Sequence, residues 1–159
     1  MQTKLDRTDL RILHELQRDG RMPVVALAER VSLSPTACQR RVEKLEESGV
    51  IERYAAMISP AALGLEIQAF IQVRIERQSK DVTEGFETAV RKLPEVRACY
   101  VMTGDLDFLL HVFVPDLKAF SDFAMHRLIG VAGVKDVRSS LVLESIKADE
   151  GFVIRPPVR

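Results

Sequence analysis

The sequence predicts an α+β protein in which a small helical domain precedes a larger domain of alternating strands and helices. Up to Gly49 the apolar residues recur every three or four positions, which is typical of short amphipathic helices. From Leu65 onward several runs carry an apolar residue at every second position, which is typical of strands. We therefore expect a first domain at residues 1–58, a linker at 59–64 and a second domain at 65–159.

The first domain is predicted to contain three short helices. Asp6 or Thr8 caps the first helix, and Pro23 begins the second. Ser34 caps the third helix and Pro35 is its first residue, because serine and proline are favoured at these two positions. Two short helices joined by a tight turn, with a third helix completing a small core, form a helix-turn-helix unit.

The turn and the run that follows the third helix complete this unit. We expect Ser32 to occupy the turn position at which φ is positive and glycine is common. Gly49 is suited to end the third helix. The run Val50–Ile58 is then predicted to be a strand, so that the unit is a winged helix-turn-helix.

The third helix has a narrow apolar edge and a polar outer face. Cys38, Val42 and Leu45 lie at positions i, i+4 and i+7 and form one stripe. At about 100° per residue, Thr36 and Arg40 point away from that stripe. A short helix with this kind of outer face is shaped to enter the major groove of DNA.

Seven polar residues in and near this helix are the candidate DNA contacts. In the major groove arginine can pair with guanine and glutamine with adenine, whereas hydroxyl and cationic groups also bind phosphates. The alternative is an ordinary solvated helix face. We predict base contacts from Thr36, Gln39 and Arg40, and phosphate contacts from Ser34, Arg41, Lys44 and Arg53, the last in the predicted hairpin.

The second domain is predicted to have the order β-α-β-β-α-β, which is the ferredoxin-like arrangement. Its two helices begin near Asp81 and Asp116 and lie on one face of the sheet. The predicted strands are Leu65–Ile75, Val96–Thr103, Phe108–Val114 and Val134–Leu143, and Phe152–Ile154 is a candidate edge strand.

The second and third strands of this domain predict self-association, because both of their faces are apolar. In the second strand Cys99 and Val101 alternate with Ala98 and Tyr100. The sheet face that the helices do not cover would then be apolar, and a second copy of the chain is the economical cover for it. We expect a homodimer that forms through the sheets.

Composition and motifs exclude several classes of protein. The chain of 159 residues carries 23 Lys+Arg and 23 Asp+Glu, so DNA binding must rest on the placement of charges. No run approaches the ~18 apolar residues of a membrane span, and MQTKLDRTDL has no apolar signal core. The three histidines lack metal-ligand spacing, and the two cysteines are expected to be reduced core thiols. We therefore expect a cytoplasmic protein with no membrane partner, metal or cofactor.

The turn Thr103-Gly104-Asp105-Leu106-Asp107 is the candidate site for a small molecule. Its backbone N–H groups and its hydroxyl can receive a carboxylate, and its aspartates can receive an ammonium group. A free amino acid carries both groups. An ordinary β-turn is the alternative explanation for the same residues.

Four stretches of the chain together carry a family resemblance. They are LDRTDLRILHELQRDGR, LAERVSLSPTACQRRVEKLEESGVI, VMTGDLDFLL and VRSSLVLESIKADEGFVI. The chain resembles the Lrp/AsnC family of leucine-responsive, or feast/famine, transcription regulators over about Leu5 to Ile154. The SPT-C-RRV helix and the GD-D turn are the distinctive blocks. The chain departs from the family at Ser32, where glycine is common, and at Leu106, where an aromatic residue is common.

The resemblance implies a ligand-sensing second domain and an assembly larger than a dimer. Dimers would join into octamers or similar assemblies, with an amino-acid effector held between dimers and the protein associated with the nucleoid. The run from Ser139 to Lys147 is similar to the branch that responds to leucine and related amino acids. The implied effector site consists of Thr103, Gly104, Asp105 and Asp107, with Val101, Ser140 and Leu141 as walls.

The predicted function is sequence-specific DNA binding by a transcription regulator whose assembly or DNA binding responds to an amino acid. One alternative is a dimeric ferredoxin-like enzyme that uses Asp105 and Asp107 as acid and base. That alternative leaves the polar helix within Leu33–Leu45 unexplained, so we expect no enzymatic activity. A second alternative is an architectural DNA-binding protein, which would show weak sequence preference and no response to a ligand.

Overall fold

The computed structural model contains two compact units, each with its own apolar core. One unit lies within Met1–Met57 and Lys147–Arg159, and the other lies within Ile58–Ile146. The described part of the tail, residues 151–154, therefore groups with the first unit, although the sequence-based division placed it in the second. The linker at 59–64 stays a prediction. The described residues are 4–76, 80–147 and 151–154.

The first unit contains the three predicted helices, α1 (Arg7–Arg18), α2 (Val24–Val31) and α3 (Pro35–Glu47). The carboxylate of Asp6 accepts the backbone N–H groups of Thr8 and Asp9, each at 2.8 Å. The Asp9 carboxylate accepts the Asp6 N–H at 3.0 Å, which completes a capping box. The buried core of the unit consists of Ile12, Met22, Leu27, Ala28, Val31, Cys38, Val42 and Leu45.

Ser32 forms the turn between α2 and α3 in the predicted conformation. Its φ and ψ are 60° and 50°, and it is the one non-glycine residue with positive φ in the described part of the chain. Its backbone N–H donates to the carbonyls of Ala28 and Glu29, which end α2. A residue with a Cβ is strained in this left-handed region by about 1 kcal/mol.

Replacing Ser32 by glycine is expected to raise the free energy of unfolding by roughly 0.5–1 kcal/mol, because glycine relieves the backbone strain of the turn. The greater conformational entropy of glycine in the unfolded chain offsets only part of this gain. Urea titration followed by circular dichroism measures the change. Ser32→Ala is the matched control, since alanine also removes the hydroxyl but keeps the Cβ that is strained at φ 60°. A Ser32→Gly variant no more stable than the wild type would contradict the strain.

The predicted strand at Val50–Ile58 is not formed, so the predicted wing is absent from the described chain. Val50 and Ile51 pack against the helical core, and the Ile51 N–H donates to the Leu45 carbonyl at 3.0 Å. Beyond them the chain is exposed, with Met57 74% exposed. A strand needs a neighbour for its backbone groups, and no described segment of this chain supplies one.

The described tail, residues 151–154, is not an edge strand and instead contacts α1. The Gln17 amide nitrogen donates to the Phe152 carbonyl at 2.7 Å, and the Gln17 carbonyl oxygen accepts the Phe152 N–H at 3.0 Å. Gly151 has φ 86°, and a Cβ on it would lie 2.5 Å from Cδ of Gln17. Glycine therefore permits the close approach of the tail to this helix.

The second unit is a four-stranded antiparallel sheet in the order β2-β3-β1-β4, and the ferredoxin-like prediction is confirmed. The last helix, predicted as one regular helix, changes to a π-helical segment at Phe123–Leu128. The elements are β1 (Ile67–Ile75), α4 (Lys80–Val90), β2 (Val96–Val101), β3 (Phe108–Val114), α5 (Leu117–Asp122) and β4 (Val134–Leu141).

One face of this sheet packs against the helices, and the other, which we call the open face, does not. Alternate residues of β1 and β3 join Phe86 of α4 in the core on the helix side. Strand β2 lies at the edge of the sheet, and its Cys99 is exposed although the sequence predicted a core thiol. Cys38, by contrast, is buried in the first unit as predicted.

Candidate DNA-binding and effector sites

The outer face of α3 collects five of the predicted DNA contacts on one exposed surface. The Ser34 hydroxyl accepts the Ala37 N–H at 3.3 Å, which caps the helix at the end nearest this surface. The apolar stripe of α3 is buried on the opposite side, as predicted. The exposed residues are Ser34, Thr36, Gln39, Arg40 and Lys44.

Gln39 and Arg40 are held differently on this surface. The Gln39 amide donates to the Glu43 carboxylate one turn later, at 2.8 Å. Reading a base therefore requires Gln39 to exchange that bond for one to the base edge. Arg40 forms no hydrogen bond or ion pair with another described residue, so its five donors remain available to a ligand.

Arg41 is turned toward α1 rather than toward solvent. Its guanidinium donates to the carboxylates of Asp6 and Asp9, each at 2.7 Å. The backbone N–H of Asp9, followed by the Arg41 guanidinium, holds the pKa of Asp6 below its usual value, and the two carboxylates raise the pKa of Arg41. These contacts tie the middle of α3 to the capping box of α1.

Arg53 lies exposed in the extended segment after α3 and not in a hairpin. The next residue, Tyr54, was not predicted to matter, yet it ties this segment to α3. Its hydroxyl donates to the Glu46 carboxylate at 2.8 Å, and its ring lies close to Gly20. Burial, followed by the bond to Glu46, raises the pKa of Tyr54 to about 12. In the sequence, the only sign of this role was the single tyrosine within the run Val50–Ile58.

The open face of the sheet carries an aromatic row. The rings of Phe70 and His111 stack with centroids 4.6 Å apart, and those of His111 and Phe113 are 4.8 Å apart. The Gln68 Nε2 lies 2.7 Å from the His111 Nε2. Tyr100, on the neighbouring strand, is 53% exposed. This is the face that the sequence predicted to be covered by a second copy.

His111 is expected to make the stability of the protein pH-dependent. Burial, and then the charge of Arg97, lowers the pKa of His111. The folded state thus favours the neutral ring, so its contribution is present above the unfolded pKa of about 6.5 and is lost as the pH falls through the lower folded pKa. Thermal unfolding temperatures should fall between about pH 7 and about pH 5. His111→Gln, which does not titrate, should flatten this profile; an unchanged slope would contradict the assignment.

The predicted effector turn is a tight bend between β2 and β3. Gly104 has φ 106°, where other residues are strained. The Asp107 carboxylate accepts the Ile75 N–H at 2.8 Å, and the Asp107 N–H donates to the Val73 carbonyl at 3.0 Å. Asp107 therefore shapes the bend from within. The exposed residues of the turn are Thr103, Gly104 and Asp105.

Within one chain, Ser140 and Leu141 lie far from this turn. The row of paired residues that starts at Val101 in β2 crosses the sheet to Val137 in β4, and Ser140 lies three residues beyond. With strands about 4.8 Å apart and about 3.3 Å per residue, Val101 and Ser140 are separated by roughly 18 Å. Ser140 and Leu141 also point to opposite faces of the sheet, because they are neighbours in one strand.

The described residues offer neither a metal centre nor a membrane span. Within 4–76, 80–147 and 151–154, no three His, Cys, Asp or Glu residues are grouped so that they could hold a metal ion. None of the helices in those ranges combines the length and apolar character needed to cross a membrane.

Both units match models of known domain families. The AsnC-type helix-turn-helix domain matches residues 5–46, and the Lrp/AsnC ligand binding domain matches residues 68–152. The Leucine-responsive regulatory protein of Escherichia coli (strain K12) is 42% identical over 151 residues, which cover 95% of this chain and 92% of that protein. The protein of the same name from Klebsiella pneumoniae is 41% identical over the same shares.

Two solved structures of regulators share the fold of the chain. Transcriptional regulator NMB0573 from Neisseria meningitidis, in complex with L-Met, is 48% identical with a TM-score of 0.88, covering 91% of this chain and 94% of that one. An AsnC family transcriptional regulator from Agrobacterium tumefaciens is 39% identical with a TM-score of 0.85 over the same shares. The chain therefore belongs to the Lrp/AsnC family: it is a transcriptional regulator, not an enzyme, with a DNA-binding helix-turn-helix domain and an Lrp/AsnC ligand-binding domain.

Proposed function

We propose that the outer face of α3 reads base edges in the major groove of an operator. The carrying observation is that α3 buries its apolar edge in the helical core while its polar face stays exposed. Bidentate arginine and glutamine contacts suit guanine and adenine there. Base contacts are assigned to Thr36, Gln39 and Arg40, and phosphate contacts to Ser34, Lys44 and Arg53.

Arg41 is not assigned the phosphate contact that was predicted for it from the sequence. Its guanidinium already binds Asp6 and Asp9, so a phosphate would have to replace two short ion pairs. We assign to Arg41 the positioning of α3 against α1. Its effect on DNA binding is then indirect and passes through the orientation of the helix.

A homodimer through the open faces of two sheets is the proposed building block. The open face carries a largely apolar surface whose contact with water is unfavourable. It consists of the aromatic row of Phe70, His111 and Phe113 and the exposed Tyr100 beside that row. A two-fold axis places the same row from each copy in one interface. We propose that such dimers join into octamers or similar assemblies. An assembly presents several α3 helices to the DNA at once, which raises the affinity of the protein for DNA.

The effector is proposed to bind between copies of the chain. Val101 and Ser140 are roughly 18 Å apart in one protomer, and the turn lies farther from Ser140 than Val101 does, so a site containing both requires a second copy. The relative from Neisseria meningitidis was solved with L-Met, which supports an apolar amino acid as effector for this chain. Because the ligand must bind one assembly better than another, it would shift the arrangement of the DNA-binding units. The proposed place of action is the cytoplasm, at the nucleoid.

Calorimetry of the twenty amino acids against the full-length protein tests the effector site. We expect heat from leucine, methionine or a similar amino acid. Asp105→Ala should weaken that binding by at least about tenfold, because a charge-assisted hydrogen bond of about 1.5–3 kcal/mol is removed. Asp107→Ala should abolish binding, because this residue holds the bend to Ile75.

Asp122→Ala is the control for these variants, since Asp122 is an exposed aspartate of α5 that caps nothing with its side chain. Its affinity for the effector should equal that of the wild type. Absence of heat for every amino acid would remove the effector proposal, and equal effects of the Asp105 and Asp122 changes would move the site away from the turn.

A further inference from the structure

The outward side of α1 carries a row of three arginines and one histidine that the readout by α3 does not use. Arg7, Arg11, His14 and Arg18 are all exposed, and at about 100° per residue they lie within about 60° of one another. The row follows the helix for about 16 Å, at a rise of about 1.5 Å per residue. Ile12, which is fully buried, lies on the opposite side of the helix.

The carboxylates at the start and middle of α1 form their ion pairs with cations from the other helices, although Glu15 also interacts at longer range with His14 and Arg18 of the row. Glu15 forms an ion pair with Arg30 of α2 at 2.7 Å. Asp6 and Asp9 are both taken by Arg41 of α3. In the described part of the chain, Arg7 and Arg18 form no ion pair. The near-neutral helical unit therefore keeps a one-sided positive surface.

The row also borders a concave surface. A cleft of about 310 Å³ lies between the row, the end of α2 and the tail. Arg11 donates one N–H to the Arg30 carbonyl at 2.6 Å, which fixes its guanidinium at the wall of this cleft and leaves other donors available. The cleft is lined by Arg7, Leu10, Arg11, His14, Glu15, Arg30 and Ile154.

The row faces away from α3. Asp9, which contacts α3 through Arg41, lies about 170° around α1 from the middle of the row. The exposed side of α3 in turn points away from the core that it shares with α1. A duplex held by α3 therefore lies on the other side of the unit and cannot reach the row.

We propose that this row, named by Arg7, Arg11, His14 and Arg18, binds the phosphate backbone of a segment of duplex DNA other than the segment read by α3 of the same unit. The inference rests on the assignment of α3 as the reading helix. Duplex DNA is the fitting partner because each strand presents a phosphate per ~3.4 Å of helix axis, so that several phosphates lie within the length of this extended row of basic side chains. DNA held by α3 also keeps further phosphates at high local concentration. The protein would thus hold two DNA segments at once.

A capture assay with the full-length protein tests this proposal. A 20-base-pair duplex carrying a site selected in vitro with the wild type is fixed to beads and saturated with protein. An excess of the same duplex, unlabelled and in solution, then occupies the remaining α3 helices of each assembly, and a second, fluorescent duplex of unrelated sequence is added. Arg7→Ala/Arg18→Ala should reduce capture of the second duplex at least tenfold while changing affinity for the first less than twofold. The salt dependence of capture should weaken by roughly 0.9 in log–log slope for each phosphate that the variant no longer binds.

Two further variants separate this proposal from the function of α3. Lys92→Ala/Lys118→Ala removes two exposed cations from the second unit and should leave both steps unchanged. Arg40→Ala should weaken binding of the first duplex. If it does not, the assignment of α3 as the reading helix is contradicted, whereas the role of the row is judged from the Arg7→Ala/Arg18→Ala variant. Circular dichroism confirms that each variant is folded.

Three outcomes would overturn the proposal. Capture of the second duplex by Arg7→Ala/Arg18→Ala at the wild-type level would show that the row is not used, as would a wild type that captures no second duplex. An equal loss in both steps would place the row in the primary site. Competition by polyglutamate as effective as competition by DNA, at equal charge concentration, would assign the row to an acidic protein partner instead.

Discussion

A Phe70→Glu variant is expected to sediment as a monomer at concentrations at which the wild type is dimeric. Phe70 stacks on His111 in the aromatic row of the open face, and a two-fold interface would bury both copies of the new carboxylate. Removal of a central aromatic side chain from an interface typically costs at least about 2 kcal/mol, which is about thirtyfold in the dissociation constant. Uncompensated burial of charge adds to this cost.

Analytical ultracentrifugation over a range of concentrations measures this change. Thr88→Glu adds the same charge to an exposed position of α4, away from the open face, and should leave the dimer intact. Phe70→Leu keeps an apolar side chain and should fall between the two. A dimer that survives Phe70→Glu unchanged would place the self-association surface elsewhere on the chain.

Arg40→Ala should lose sequence preference at one position of the operator. A bidentate contact of arginine with guanine is worth about 1–3 kcal/mol, so we expect the affinity for the selected site to fall roughly tenfold to a hundredfold while binding to unrelated DNA changes little. Because Arg40 forms no hydrogen bond or ion pair with another described residue, its removal should leave the fold undisturbed. Fluorescence anisotropy with the selected site and a scrambled duplex measures both affinities.

Lys44→Ala is the matched variant on the same helix. If Lys44 contacts a phosphate, its removal should lower the affinity for all duplexes by a similar factor. It should also lower the slope of log affinity against log salt concentration by about 1. A variant of Arg40 that behaves like the variant of Lys44, with equal losses on both duplexes, would argue that Arg40 binds phosphate. Unchanged binding in both would remove α3 from the interface.

The local features of the first unit could be predicted because each rests on signals within a few residues. Ser34 caps α3 and Ser32 adopts positive φ, both as the sequence indicated. The strand Phe108–Val114 also has its predicted bounds, since the turn at Gly104 precedes it and Pro115 follows it. In each case the partner of the residue lies nearby in the chain.

The features that could not be predicted depend on partners that are distant in sequence. Arg41 looked like a cation of the outer face, but Asp6 and Asp9 bind it from 35 and 32 residues away. The run Val50–Ile58 was predicted to be a strand, but no described strand lies beside it. The turn at Gly104 was found, whereas the sequence did not show that Asp107 is held by Ile75.

The contact between Gln17 and Phe152 has a consequence for how the protein is made. These residues are separated by 135 positions, and the whole second unit lies between them in the chain. During synthesis, which proceeds from the N-terminus, α1 leaves the ribosome long before its last partner exists. Until residue 152 has been synthesised, the side of α1 around Gln17 therefore lacks its contact with the tail. The DNA-binding unit of a nascent chain is completed only after the ligand-binding unit has been translated.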